Sequence, residues 1–246
     1  VAREGMERIA RATRAAFTAQ DFWPLHPDDA EESDTGPHCN LYFGAGGVIW
    51  ALDHLAREGA ISDGYGFADH LPAVAQRNRT ELEGEAWRRL LGAGWQTRSW
   101  LMGDAGLLFV RQRMAVDAAD RNDALVRLSA AISGNTHDPS RDQMWGAPGT
   151  MLPALALYRV GTSGPWGELY RAGADALDAA LELVPALGAD VWTQTLYGGQ
   201  VRYLGAGHGF AGAAFALIAG RDLLSADRWA AVSARLCRTL RATAVS

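Results

Sequence analysis

The sequence predicts an all-α fold in which an inner layer of apolar helices is wrapped by an outer layer of amphipathic ones. Three observations carry that expectation. A short pattern, bulky apolar residues followed by a glycine turn, recurs four times: Leu41-Tyr42-Phe43-Gly44-Ala45-Gly46-Gly47, Trp100-Leu101-Met102-Gly103-Asp104-Ala105-Gly106, Gln143-Met144-Trp145-Gly146-Ala147-Pro148-Gly149, and the run from Tyr203 to Gly212. The helical runs that these turns open are apolar nearly all round, whereas the segments between them carry a charged face. The turn glycines Gly44, Gly103, Gly146 and Gly205 are unequally spaced, so the units read as helical hairpins set around one axis and not as a strict short repeat.

Each element follows from local pattern. Glu4 to Ala19 places Met6, Ile9, Ala10, Ala12, Ala16 and Phe17 at helical spacing, with arginines on the other face. Trp23 to Asn40, dense in Asp, Pro, Ser and Gly, reads as a loop. Gly44 to Glu58 is the first glycine-led helix, and its amphipathic partner runs from Ala68 to Leu91, broken near Asn78. Gly103 to Val116 pairs with Arg121 to Ser133, and Gly146 to Val160 pairs with Trp166 to Val184. Val191 to Tyr203 reads as an extended hairpin turning at Gly198-Gly199. Gly205 or Gly209 opens the fourth inner helix, and Ser225 to Ala244 is the last amphipathic one. Glycines at the turns admit close backbone approach and positive φ, so a purely structural reading of the repeat stands beside any functional one.

Composition narrows the chemistry. A chain of 246 residues with 48% apolar residues is long enough for one substantial core. All 23 basic residues are arginine, which removes Schiff-base lysines, the phosphate-loop lysine and the kinase lysine together. The net charge of -5 argues against nucleic acid as the partner. Cys39 and Cys237 cannot build a disulfide framework, which favours a reduced, cytoplasmic setting. The most apolar run, Gly207 to Gly220, is too short to span a bilayer. Cys237 falls in the stripe Val232, Leu236, Leu240 and reads as core.

If the inner helices converge, their N-terminal ends gather at one rim, where unpaired N–H groups and positive dipole ends would favour a carboxylate, enolate or thiolate. Asp104, Asp142 and His208 are the polar residues of the turns. His208, shielded only by Gly207 and Gly209, is a candidate acid or base; the alternative is an imidazole that caps neighbouring backbone. Asp142, four residues before Gly146, is a candidate partner, with an N-cap or turn role as the alternative. Asp104 reads first as a cap, and Trp145 and Trp192 as the tryptophans able to line a cavity.

Taken together, Leu41 to Leu52, Gly103 to Gly106, Met144 to Gly149 and His208 to Gly212 resemble the lanthionine synthetase C-like proteins, with the motifs in order over most of the chain. The resemblance implies an α/α toroid and an enzyme that adds a cysteine or glutathione thiol to dehydroalanine or dehydrobutyrine in a peptide. It implies His208 and Asp142 as the proton-transfer residues, with Asp104, Trp145 and Trp192 as candidates for substrate contact. The family holds a catalytic zinc through a cysteine in one late repeat and a Cys-His pair in the next; here Gly207 stands where that pair would need its cysteine, and no zinc ligands are identifiable. Because the chain opens on Val1 and stops at Ser246, the expectation is a single partial domain over 1–246, an incomplete toroid inactive by itself, with zinc belonging to the full-length member. Two other readings stay open. One is a carbohydrate-active α/α toroid using Asp104 and Asp142 as a carboxylate pair; the other is a catalytically silent module that holds a peptide or a partner kinase.

Overall fold

The computed structural model describes residues 2–25, 28, 38–91 and 97–244, so the expected loop Trp23 to Asn40 lies largely outside the described residues. The fold is mainly helical. Its helices are α1 (Ala2–Ala16), α2 (Ala45–Arg57), α3 (Leu71–Leu82), α4 (Glu85–Leu91), α5 (Asp104–Met114), α6 (Ala118–Asn135), α7 (Ala147–Arg159), α8 (Trp166–Ala180), α9 (Phe210–Ala219) and α10 (Ala226–Thr243). Two antiparallel hairpins interrupt them, β1 (Leu181–Val184) with β2 (Ala189–Trp192) and β3 (Gln194–Leu196) with β4 (Gly199–Val201). No helix among the described residues is long and apolar enough to cross a membrane.

The four glycine turns open α2, α5, α7 and α9, and those helices touch one another in sequence order, α2 to α5, α5 to α7 and α7 to α9. The amphipathic α6 lies against α5, and α8 against α7. Trp166, Tyr170, Ala174 and Leu177 form the buried face of α8; a side chain of this size contributes about 1.5–3 kcal/mol when fully buried. Backbone bonds stitch the turns into a row: Leu41 and Tyr42 N–H donate to Leu101 O, Leu101 N–H to Met144 O, and Gln143 N–H to Gly207 O.

The glycines serve close approach and not positive φ. The cap residues Gly44, Gly103, Gly146 and Gly209 have φ of -112°, -114°, -95° and -141°, all open to any residue. A β-carbon on Gly209, however, would sit 2.5 Å from Gly205 N. The register of the fourth turn follows from this, since Gly209 and not Gly205 is its cap. Three residues beyond each cap, Gly47, Gly106, Gly149 and Gly212 bring the helix onto a carbonyl of its own turn. The last three also accept Leu41, Trp100 and Gln143 of the preceding turn. Buried amides tie the row to the other elements. Asn78 donates to Met102 O at 2.8 Å, Asn135 to Trp145 O at 3.0 Å, and Gln194 to His208 O, in each case the residue just before the cap glycine.

Several boundaries differ from the sequence expectation. The break in the partner of α2 falls at Glu83–Gly84, and Asn78 is a buried residue inside α3. Leu181 to Val184 continues the helical period of α8 but forms a strand, because Pro185 disfavours helical backbone at Val184. Cys237 is exposed; the buried stripe of α10 is Val232, Leu236 and Thr239, with Thr239 Oγ1 accepting from Asp190 N–H at 2.8 Å.

Candidate functional site

The third and fourth turns bring Asp142 and His208 together. His208 Nδ1 lies 2.6 Å from Asp142 Oδ2, although 66 residues separate them in the chain. Asp142 is wholly buried, and its other oxygen, Oδ1, accepts from Trp145 N–H at 2.7 Å and Gly146 N–H at 3.2 Å. The same turn position in the first repeat is Asn40, whose Oδ1 accepts from Phe43 N–H at 3.0 Å. The turn thus needs one side-chain oxygen, which an amide can provide. The carboxylate at Asp142 supplies a second oxygen, and that one holds the imidazole.

Tyr197 meets the opposite edge of the ring. Its hydroxyl is 3.2 Å from His208 Nε2 and accepts from Trp145 Nε1–H, also at 3.2 Å. Because an indole nitrogen only donates, one orientation satisfies every partner: Trp145 N–H to Tyr197 O, Tyr197 O–H to His208 Nε2, and His208 Nδ1–H to Asp142. Burial first, and then the charge of Asp142, raise the Tyr197 phenol above its ordinary value, against the hydrogen bond from Trp145. The phenol is therefore the neutral, proton-bearing form near neutral pH.

Backbone geometry delivers these groups. Tyr197 and Gly198 have φ of 52° and 78°, both left-handed, which makes the β3–β4 connection a type I′ turn with Tyr197 at its tip. A tyrosine in that conformation costs roughly 1–2 kcal/mol, and such outliers gather where a side chain must be aimed. Arg141, next to Asp142, is also left-handed at φ 48° and donates to Thr193 O. Gln194 is buried; it donates to His208 O and accepts Tyr203 N–H at 3.0 Å, so one amide clamps both sides of the His208 turn.

Of the five residues singled out from sequence, His208, Asp142 and Trp145 meet here, and Asp104 and Trp192 do not. Asp104 is the first residue of α5; it accepts from Arg79 and from Thr97 Oγ1, both at 2.9 Å, and makes no cap, since Gly103 is the cap. It lines a separate cavity of about 260 Å³ between α3, α5 and α6. Trp192 is buried in β2, donating from Nε1 to Leu177 O at 2.8 Å with its ring 5.5 Å from Phe210. A buried indole must find an acceptor, and the end of α8 provides it. Tyr197 and Gln194 were not read from sequence. The signal for Tyr197 is the Tyr197-Gly198 pair, which a turn placed one residue later, at Gly198-Gly199, conceals.

Among the described residues no three His, Cys, Asp or Glu side chains are grouped to hold a metal ion. The Cys39 thiol is pushed up to about 12 by burial and by the charge of Glu81. Both ring nitrogens of His208 already have partners. Among the described residues nothing supports a zinc centre. No protein-family model matches the chain, and a search of curated proteins finds no match.

Proposed function

We propose that the chain belongs to an α/α toroid of the lanthionine synthetase C-like kind and that, against the expectation of a piece inactive by itself, its own residues promote addition of a thiol to a dehydroalanine or dehydrobutyrine residue of a peptide. The thiol donor is a cysteine or glutathione. The observation that carries this reading is the His208–Asp142 pair at 2.6 Å, assembled from two of the four glycine turns that resemble that family. The row of stitched turns, the contacts between successive glycine-led helices and the amphipathic α6 and α8 packed beside them support the toroid.

The chemistry follows from the pair. Adding a thiol across the C=C bond requires the S–H proton to leave and a proton to arrive at the α-carbon. His208 takes the first proton on its Nε2 side while Asp142 holds Nδ1–H and balances the positive ring. Sulfur bonds to the β-carbon, the π electrons move into an enolate, and the proton is returned to the α-carbon. The imidazole is regenerated and nothing else is consumed. The carbohydrate-active reading gains no support, because Asp142 serves His208 while Asp104 serves Arg79 and Thr97.

A dehydroalanine peptide mixed with glutathione or cysteine, followed by mass spectrometry, tests the proposal. His208→Ala should fall to the uncatalysed rate with its helical circular dichroism intact, and retained turnover would remove His208 from the chemistry. Peptide binding by a wild-type chain with no turnover would instead favour the silent binding module.

A further inference from the structure

We propose that Tyr197 is a further catalytic residue, its hydroxyl being the group that touches the thiol and the enolate and passes the proton between them and His208. The inference rests on reading His208 and Asp142 as the proton-transfer pair, and it adds the route by which the proton reaches them. Nε2 is the only ring nitrogen facing away from Asp142, and Tyr197 Oη stands 3.2 Å from it. Any proton that His208 exchanges at Nε2 must therefore cross or displace that hydroxyl. Exposure runs in the same order: Asp142 is sealed, the His208 side chain is 30% exposed and Tyr197 is 39% exposed, so the phenol is the outer end of the chain of groups.

The placement of Tyr197 is specific. Its backbone adopts a left-handed conformation at the tip of the β3–β4 hairpin, where glycine or asparagine would be less strained. The hydroxyl also keeps a donor behind it, Trp145 Nε1–H, which steadies the oxygen whenever it has given up its proton. That donor leaves the hydroxyl hydrogen directed at Nε2 and the remaining lone pair of Tyr197 open to a substrate proton.

The relay balances in both directions. As the thiol S–H proton moves to Tyr197 O, the phenolic proton moves to His208 Nε2, giving an imidazolium whose two N–H groups face Tyr197 and Asp142. Sulfur then bonds to the β-carbon, and the C=C π pair becomes the enolate. Tyr197 O–H next gives its proton to the α-carbon while Nε2–H returns one to Tyr197. One S–H and one C=C π bond are replaced by one C–S and one C–H bond, on a single face of the substrate.

The test compares three forms of the whole chain in the dehydroalanine–thiol assay. Tyr197→Phe removes only the hydroxyl and should lower kcat/KM by about 100-fold or more, the usual scale for a lost proton-transfer group. Replacing Tyr197 with 3-fluorotyrosine keeps shape and hydrogen bonding but makes the phenol more acidic, so the alkaline limb of the kcat/KM profile should move to lower pH. A merely structural tyrosine would leave that limb where it was. An unmoved limb, or Tyr197→Phe within threefold of wild type while His208→Ala is dead, overturns the relay and leaves the His208 reading standing. Wild-type-like activity in His208→Ala, or no turnover by the wild type, overturns both.

Discussion

Asp142→Asn separates what the buried carboxylate does for the turn from what it does for the imidazole. The new amide can keep its oxygen where Oδ1 is, accepting from Trp145 and Gly146 N–H, as Asn40 does for Phe43 in the first turn. Its NH2 then replaces Oδ2 opposite His208 Nδ1, now 2.6 Å away. A donor facing a donor is untenable, so the ring must present its lone pair at Nδ1 and carry its proton on Nε2, where the proposed mechanism needs a base. Nε2–H would then face Tyr197 O, and the phenol could no longer donate to that nitrogen. The catalytic tautomer is lost although every heavy atom is close to its place. The expected loss is about 100- to 10,000-fold in kcat/KM. Stability changes little by comparison: a charge-assisted hydrogen bond worth about 1.5–3 kcal/mol disappears, offset in part because a buried neutral amide is less costly than a buried carboxylate. The assay is thiol addition monitored by mass spectrometry, beside a thermal melt. Turnover within threefold of wild type would refute the tautomer argument, and a variant that fails to fold would refute the claim that one oxygen suffices for the turn.

Two further predictions concern the scaffold. Gly209→Ala should destabilise by at least about 1–3 kcal/mol in urea, as overpacking does, because its β-carbon would lie 2.5 Å from Gly205 N and 2.6 Å from Tyr203 C. Gly207→Ala, two residues earlier with nothing within 4 Å, should be near neutral, and equal effects at the two sites would refute the close-approach account. Burial raises the Asp190 carboxyl, but hydrogen bonds from Arg238 at 2.5 Å and Arg235 at 3.1 Å outweigh it and hold the carboxyl below its ordinary range. A depressed carboxylate contributes stability that is present above the unfolded value, near pH 4, and lost as the pH falls through the lower folded value. Melting temperature should therefore drop on acidification below about pH 4, and Asp190→Asn should flatten that drop; an unchanged acid limb would refute it.

The helical class was readable because glycine turns and helix periodicity are local steric facts. The four turns do open four helices in contact, with α6 and α8 beside them. His208 and Asp142 were singled out as turn residues and paired by the family resemblance; the structure brings them together because the turns are stitched to one another by backbone. What could not be read depends on partners far along the chain. Whether Gly205 or Gly209 caps α9 is decided by which one presses on its own turn. Thr239 is buried in place of Cys237 because Asp190, in β2, offers it hydrogen bonds. Tyr197 gains its place from a hairpin register that a single residue's shift would undo. Trp192 has the apolar bulk expected of a cavity wall, yet its N–H is claimed by α8.

The clamp that Gln194 places on the His208 turn means that the bearing of the imidazole is inherited from a side chain that never meets it. A leucine in that position would leave carboxylate, imidazole and phenol all present and merely let the ring swing away from its partners. If the proposed chemistry holds, silence of that kind would read, to any survey of reacting groups, as an intact site.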